Sequence, residues 1–377
     1  MAKRAAKKLA PSPDHLRAGW SSGWAEGYRT GSDYGYHLGR CEAIIRQHPL
    51  PSLGWWDKRV TFVTSGKGLP YSPLDESVIE ALRGLVRELI VVQPGQDFAS
   101  VAIQSGADAV IVLEGMNVPG VQLDRIRSAG ISTAIWLTDD PYYTDMTIQM
   151  VRHYDHVFTL ELQCVGFYKQ NGCRQVHYLP FAANTRLFRP KPIPTSFRRD
   201  ISFIGSAYWN RVAYFDRMAP YLKDKHVYIS GIWWDRLRHF RMLASKIDLN
   251  KWMNADETAS FYNGSKIVIN LHRATDDASF NNNSRLIGAL SPNPRTFEIA
   301  ACGTLQLTDV RHDLARFYTP GTEIVTYSSV DELKYKIDYY LRNEEERRAI
   351  ALNALRRTIR EHTYPHRVAQ LLQILFG

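Results

Sequence analysis

Twice along this chain, short apolar runs rich in valine, isoleucine and aromatic residues alternate with amphipathic stretches of helical length. The first series is KRVTFVTS (58–65), ELIVV (88–92), ADAVIVLEG (107–115), STAIWLTDD (132–140), HVFTLE (156–161) and QVHYLP (175–180), with helical stretches such as 75–87, 121–129 and 145–153 between them. The second is DISFIGS (200–206), HVYISG (226–231), KIVINLH (266–272), TLQLTD (304–309) and EIVTYS (323–328). Helices are expected over 208–223, 256–264, 294–302, 330–342 and 344–361, with a last amphipathic one over 364–375. Strands this short and this uniformly apolar are buried on both faces, which predicts parallel sheets covered by helices on either side. Between the two series, PFAANTRLFRPKPIPTSFRRD (180–200) holds prolines at 180, 190, 192 and 194, the mark of an interdomain connection. The expected architecture is α/β: two doubly wound domains facing a cleft, over 55–185 and 200–361, a linker over 186–199 and a C-terminal helix within 362–377. Ligands of such sheets bind at the carboxyl ends of the strands.

A length of 377 residues suits two domains of average size, and a hydrophobic content of 45% gives each a core. No run of eighteen apolar residues occurs, so no membrane span is expected. The opening MAKRAAKKLA runs into Pro11 and Pro13 without the apolar stretch of a secretory signal, which predicts a cytoplasmic protein with a disordered basic tail over 1–13. The cysteines, at 41, 164, 173 and 302, form no CxxC pair, and no histidine cluster has zinc spacing. They read as reduced thiols. Of the net charge of +9, Lys3, Arg4, Lys7 and Lys8 supply four. The remainder suits a protein that handles phosphates. No Lys/Arg stripe interleaves with aromatics, so nucleic acid is not an expected partner.

Residues 14–50 precede the first domain. Gly19, Gly23, Gly27, Gly31, Gly35 and Gly39 recur every four residues, and Trp20, Trp24, Tyr28 and Tyr36 each follow a glycine. That spacing keeps side chains near one helix face, drifting about 40° per step. Each glycine costs a helix about 1 kcal/mol against alanine. The segment therefore reads either as a helix that docks closely on another helix, of a second copy for a homo-oligomer through 14–47, or as an arm that orders only on a partner.

The residues with the most chemistry lie in SPNPRTFEIAACGTLQLTD (291–309). Pro292 and Pro294 set up a helix start near Arg295. The backbone N–H groups of Arg295, Thr296 and Phe297, with the helix dipole behind them, would form an anion site. Arg295 adds a forked cation and Thr296 a hydroxyl, and Glu298 lies where it could accept two hydroxyl hydrogen bonds from a ribose. The other reading is an ordinary capped helix. At the end of the first strand of the second domain, Gly205 and Ser206 can bring backbone to a phosphate, with Arg211 on the following helix. Trp233 or Trp234 could stack on a base, and His272 and Arg273 could face a phosphate; core packing is the alternative for each. In the first domain, WLTDDP (136–141) ends a strand, so Asp139 or Asp140 could serve as base toward a hydroxyl. Asp139 is preferred, because Asp140 precedes Pro141 and is the better turn former. SGKGLP (65–70) lacks the spacing of a Walker loop and reads as a mobile loop under the ligands or a plain connection.

The 291–309 segment resembles the signature of the CgeB-like spore-maturation glycosyltransferases, a branch of the GT-B glycosyltransferases. Arg295, Phe297, Glu298, Ala301, Gly303, Leu307, Thr308 and Asp309 carry the match, which continues through FYTPGTEIVTYSSVDELKYKIDYYL (317–341) and REHTYPHR (360–367). The resemblance implies a GT-B fold of two Rossmann-like domains. It also implies a nucleotide-sugar donor, a UDP-sugar favoured, with its ribose on Glu298 and its diphosphate at Arg295 and Thr296. The sugar would pass to a hydroxyl of a protein or glycan acceptor, in spore or cell-surface glycosylation. Many retaining GT-B enzymes carry a second glutamate eight residues before the one matching Glu298; here that position is Leu290. No cofactor is expected and no metal: the donor phosphates would rest on a helix start and arginine, although TDD occurs at 138–140 and 275–277. A nucleotide-sugar epimerase of the same architecture and a catalytically silent coat or scaffold protein are the rival readings.

Overall fold

The computed structural model describes residues 13–49, 52–69 and 71–377, so all but the last residue of the basic tail expected over 1–13 lies outside the described residues, as does Pro70. Residues Pro13–Gln47 form one 35-residue helix, α1. The N-terminal domain follows as β1 (Trp56–Val63), α2 (Ser72–Leu85), β2 (Val86–Val92), α3 (Phe98–Ser105), β3 (Ala109–Leu113), α4 (Gly120–Ser128), β4 (Ser132–Trp136), α5 (Thr144–Met150), β5 (His156–Thr159), α6 (Leu162–Gln170) and β6 (Gln175–Tyr178). The C-terminal domain is β7 (Arg199–Ile204), α7 (Trp209–Leu222), β8 (Val227–Gly231), α8 (Phe240–Leu243), β9 (Ile247–Leu249), α9 (Ala255–Gly264), β10 (Ser265–Asn270), α10 (Pro294–Ala301), β11 (Leu305–Asp309), β12 (Val325–Tyr327), α11 (Val330–Arg342) and α12 (Glu344–Glu361). A last helix, α13 (Tyr364–Phe376), closes the chain.

Each domain holds a six-stranded sheet, in the orders β2-β1-β3-β4-β5-β6 and β12-β11-β10-β7-β8-β9, and the strand pairs run parallel. The period of two in β3 sorts its side chains into opposite layers. Ile111 and Leu113 join Phe62, Trp136 and α2 on one face, while Val110 and Val112 join Ile135, Phe98 and α3 on the other. Helix starts are capped where the sequence supplies a short polar residue. Asp97 accepts from the N–H of Ser100, Asn254 from Glu257 and Ser329 from Glu332.

The chain crosses between domains twice. After the linker it returns through His362 and Thr363, where Ala183 and the 362–364 backbone exchange N–H···O bonds of 3.0 and 3.3 Å. Helix α13 then packs Tyr364, Val368, Leu371 and Leu372 against Val78 and Leu82 of α2, so the C-terminal helix completes the N-terminal domain's core. Arg367, buried at this crossing, donates to the carbonyl oxygens of Pro180 and Glu361. Its guanidinium lies over the rings of Phe297 and Phe317, and burial pulls its pKa down to about 10.

Helix α1 divides into two parts. Cys41 and Ile44 are buried against Leu352, Leu355 and Ile359 of α12. His37 bonds the carbonyl oxygen of Gly303 at 2.9 Å, and Tyr34 donates to that of Lys191 at 2.9 Å. From Arg17 to Asp33, by contrast, every side chain is exposed. None of the six glycines has a neighbouring atom within 4 Å of where a Cβ would stand, so close packing among the described residues does not offset their helix cost.

Candidate active site

At the carboxyl end of the C-terminal sheet two strand ends touch main chain to main chain. A Cβ on Gly231 would stand 2.3 Å from the Gly205 carbonyl oxygen, and one on Gly205 would meet the Arg295 guanidinium at 2.5 Å. Both glycines have positive φ, +141° at Gly231 and +155° at Gly205. Around Gly205 the cations converge. Arg295 donates to the carbonyl oxygen of Ile204 at 2.8 Å, and Arg211, in the first turn of α7, donates to those of Ser206 at 2.9 Å and Leu271 at 3.0 Å. Burial, and Arg295 beside it, pull the Arg211 pKa down to about 9. Two guanidiniums that share one glycine, with carbonyls rather than carboxylates as their protein partners, form a site lacking an anion. The Ser206 hydroxyl makes no hydrogen bond among the described residues.

The start of α10 is more committed to the protein than its sequence suggested. Asn293 caps it, accepting from the Thr296 N–H at 3.2 Å, and forms a reciprocal amide pair with Asn270 (2.9 and 3.1 Å). The Thr296 hydroxyl is buried and accepts from Asn270 at 3.1 Å. Of the three first-turn amides expected to be open, that of Thr296 is therefore taken, and its hydroxyl faces the sheet rather than a ligand. His272 is likewise enclosed. Its Nδ1 pairs with Asp309 at 2.6 Å and its Nε2 accepts from the Asn293 N–H at 2.9 Å. Burial outweighs the attraction of Asp309 and holds the imidazole down at about 4, so it is neutral. The expectation that His272 faces a phosphate gives way to a positioning role: both ring nitrogens are used to fix the α10 cap. The carboxyl group of Glu298, further along the helix, accepts no protein hydrogen bond among the described residues; burial pushes it up to about 7, with Arg295 pulling the other way.

Between β10 and α10 the chain runs without regular structure from 271 to 293 and reaches across to the other domain. Trp233 stacks on Phe280 of this loop, 4.6 Å between ring centres, and Tyr208 meets both rings edge-on. Trp233 thus has one face covered by protein. Arg273 lies over the rings of Tyr142 and Tyr208 at 4.6 and 4.3 Å, and Tyr142 donates to the Arg273 carbonyl oxygen at 3.0 Å. The loop also pairs with α5, where the Thr144 hydroxyl meets the Asn283 side chain at 2.9 Å. Glu161, buried at the end of β5, accepts from the N–H groups of Leu290 and Ser291 at 3.0–3.1 Å. A carboxylate of the first domain therefore meets the main chain at Leu290. Glu161 was not singled out from sequence; its place two residues past a strand end is the signal that was there.

On the N-terminal sheet the acidic pair separates. Asp140 is buried, and its two oxygens accept from Thr159 at 2.6 Å and Tyr168 at 2.7 Å. Burial lifts it to about 6. With each oxygen bonded to a buried hydroxyl and the side chain itself buried, Asp140 is held within the N-terminal domain. Asp139 is partly exposed and accepts from Tyr71 at 2.7 Å and Thr138 at 3.3 Å. Both bonds fall on Oδ2, leaving Oδ1 unpartnered among the described residues. Beside it, Lys67 of the 65–70 loop pairs with Glu114, which sits just past β3 with φ of 69° and also accepts from the Met116 N–H at 2.9 Å. Lys67 lies 4.6 Å from the Tyr71 ring centre. Tyr71 and Glu114, which stand at this strand edge, were not singled out from sequence. Among the described residues no group of three or more His, Cys, Asp or Glu side chains is placed to hold a metal, and no helix is long and apolar enough to cross a membrane.

Two doubly wound parallel sheets, crossed twice by the chain and facing each other through their strand ends, define the GT-B glycosyltransferase fold. Solved structures agree. Sucrose-phosphate synthase from Thermosynechococcus elongatus aligns with a TM-score of 0.58 at 12% identity, over 85% of this chain and 99% of that one. HepE of Anabaena, solved in complex with UDP and glucose, aligns with a TM-score of 0.58 at 10% identity, over 84% and 99%. Residues 211–373 match the family model described as glycosyl transferase-like. In sequence, the chain is similar to the spore protein CgeB of Bacillus subtilis (strain 168), 29% identical over 320 residues, which cover 84% of this chain and 98% of that protein.

Proposed function

We propose that this chain transfers a sugar from a nucleoside-diphosphate donor, a UDP-sugar, to a hydroxyl of a protein or glycan acceptor. The observation that carries the reading is the pair Arg211 and Arg295 converging on Gly205, where no side chain fits, beside an unpartnered Glu298. The diphosphate would occupy this cationic end, with the ribose on Glu298. The complex of HepE with UDP and glucose supports the choice of nucleotide. Asp139 Oδ1 takes the proton of the acceptor hydroxyl, whose oxygen forms the new bond to the anomeric carbon. The bond from that carbon to the diphosphate breaks, and its electron pair leaves with the nucleotide, whose charge the two arginines stabilise. Cations of the protein hold the leaving group, so turnover should survive chelator. The reaction is placed in the cytoplasm, where nucleotide-sugars would be at hand.

The test is binding and then turnover. UDP should raise the melting temperature, since a ligand of the folded state stabilises it. Glu298→Ala should weaken UDP by about 1–3 kcal/mol, the worth of a charge-assisted hydrogen bond. Unchanged affinity in that variant removes the ribose assignment. Release of free nucleotide without a glycosylated acceptor would favour an epimerase or hydrolase instead.

The exposed half of α1 belongs to the same reading as an assembly element. Trp20, Trp24 and Tyr28 are 61–73% exposed beside glycines that leave the backbone open, a surface that fits a second copy of itself. Removing residues 1–33, short of the anchoring Tyr34, His37 and Cys41, should lower the particle mass in light scattering by more than the deleted segments. A mass per particle lower only by one segment per chain contradicts assembly through α1.

A further inference from the structure

A cavity of about 640 Å³ lies at the other end of the C-terminal sheet, where the strands begin, roofed by the inner face of α1. That size falls within the range of small-molecule sites, about 300–1,000 Å³. Its wall is unusually cationic. Arg29 of α1, Arg198 and Arg199 at the start of β7, Lys266 of β10, and Arg347 and Arg348 of α12 line it, against Asp33, Asp200 and Glu344. The acids do not neutralise these cations one for one. Lys266 pairs with Asp200 at 2.7 Å, while Arg347 and Arg348 share Glu344, at 3.3 and 2.5 Å. Arg199 donates to main-chain carbonyls at 2.6 and 2.8 Å. The Arg198 guanidinium makes no hydrogen bond to protein among the described residues; its Nε is buried without a partner, and it stands 4.8 Å from the Tyr34 ring centre. Arginines gathered in excess of carboxylates, one of them without an acceptor, lower the stability of an empty site and match an anion that presents several oxygens.

We propose that this cavity is a second ligand site, for a small phosphate-bearing molecule, separate from the donor site. The two are well separated. Strand β7 enters at Arg199 beside the cavity and leaves at Ile204 beside the Arg211–Arg295 pair, a span of about 16–20 Å for its six residues. They are nevertheless linked, because α10 carries Arg295 in its first turn and is followed at the cavity by Cys302 and Gly303, the latter's carbonyl oxygen holding His37 of the roof. The inference stands whether or not the other end of the sheet takes a nucleotide.

Inorganic diphosphate is the probe, titrated calorimetrically into the full chain. Arg295→Ala, which weakens the donor end, should retain one saturable diphosphate site. Adding Arg198→Ala should weaken that site at least about tenfold. Arg198→Lys should recover part of the loss, and Arg198→Ala alone should leave UDP affinity unchanged. Should Arg198→Ala not fold, Arg29→Ala, on the exposed part of the roof, serves the same comparison. Equal diphosphate affinity with and without Arg198, or no saturable binding in Arg295→Ala, overturns the proposal. Citrate binding as tightly as diphosphate overturns the phosphate assignment. Loss of UDP binding by the wild-type chain would count against the donor site alone.

Discussion

The carboxyl edges of the two sheets share one architecture and carry opposite charge. On the C-terminal sheet the groups are Arg211, Arg273 and Arg295, each donating to main-chain carbonyl oxygens. On the N-terminal sheet they are Glu114, Asp139, Asp140 and Glu161, held by Lys67, by hydroxyls and by main-chain N–H groups. A carbonyl orients a guanidinium without cancelling its charge, so the C-terminal edge keeps its positive field. Arg311 shows the contrast: it is paired with Asp309 and has no charge to spare. One edge therefore presents guanidiniums and the other carboxyl groups. Tyr142 and Thr144 fasten the 271–293 loop to the N-terminal domain.

The largest effect should come from breaking the acidic edge at its open carboxylate. Asp139→Asn should lower turnover by at least about 10²-fold with donor affinity nearly unchanged, because a positioned base typically contributes about 10²–10⁴-fold. Steady-state kinetics with the true acceptor, paired with UDP titration, reads this. Near wild-type turnover would move the base elsewhere. Next is the cationic edge. Arg295→Ala should weaken UDP binding about 10- to 100-fold, the worth of about 1.5–3 kcal/mol in hydrogen bonds to charged groups. If uridine, which lacks the diphosphate, loses as much as UDP, the arginine does not hold the phosphates.

Asp140 separates the two acids within one edge. Asp140→Ala leaves the Thr159 and Tyr168 hydroxyls without their acceptor and should cost about 1–3 kcal/mol of stability, seen as a lower denaturant midpoint. Any loss of turnover should follow the loss of folded protein. A stable Asp140→Ala protein with abolished turnover would instead return Asp140 to the chemistry.

The strand runs of both sheets were legible because parallel strands buried on two faces must be apolar throughout, as the five fully buried residues of β3 are. Gly205, Arg211 and Arg295 were legible because a strand end followed by a helix start is a local arrangement. Thr296 and His272 were misread for a reason that is not local. Their polar atoms meet Asn270, Asn293 and Asp309, residues brought in from neighbouring strands and caps. Glu161 and Tyr71 were missed on the same ground, since each acts on a residue far along the chain, Leu290 and Asp139. The exposed glycines of α1 show the reverse: the four-residue pattern was plain in sequence, while no neighbour that would justify it stands among the described residues.

The smallest effect to be measured tests Glu298, beside Arg295 on the cationic edge. Burial lifts the Glu298 carboxyl to about 7, against about 4.3 for an unperturbed glutamate in an unfolded chain. A folded-state value above the unfolded one means that the folded protein binds this proton more tightly. Ionisation then costs stability progressively between about pH 4 and pH 7, and the full cost remains above pH 7. Glu298→Gln, neutral throughout, should therefore melt higher than wild type at pH 8, and the difference should shrink toward pH 5. Nucleotide acts in the opposite direction. Ribose hydroxyls donate to the ionised carboxylate, so the affinity advantage of wild type over Glu298→Gln should grow from pH 6 to pH 8. Thermal melts of both proteins with and without UDP across this range read both signs at once. A melting difference that does not change with pH would show that Glu298 ionises at its ordinary value. A constant affinity ratio would show that the ribose is held by some other group.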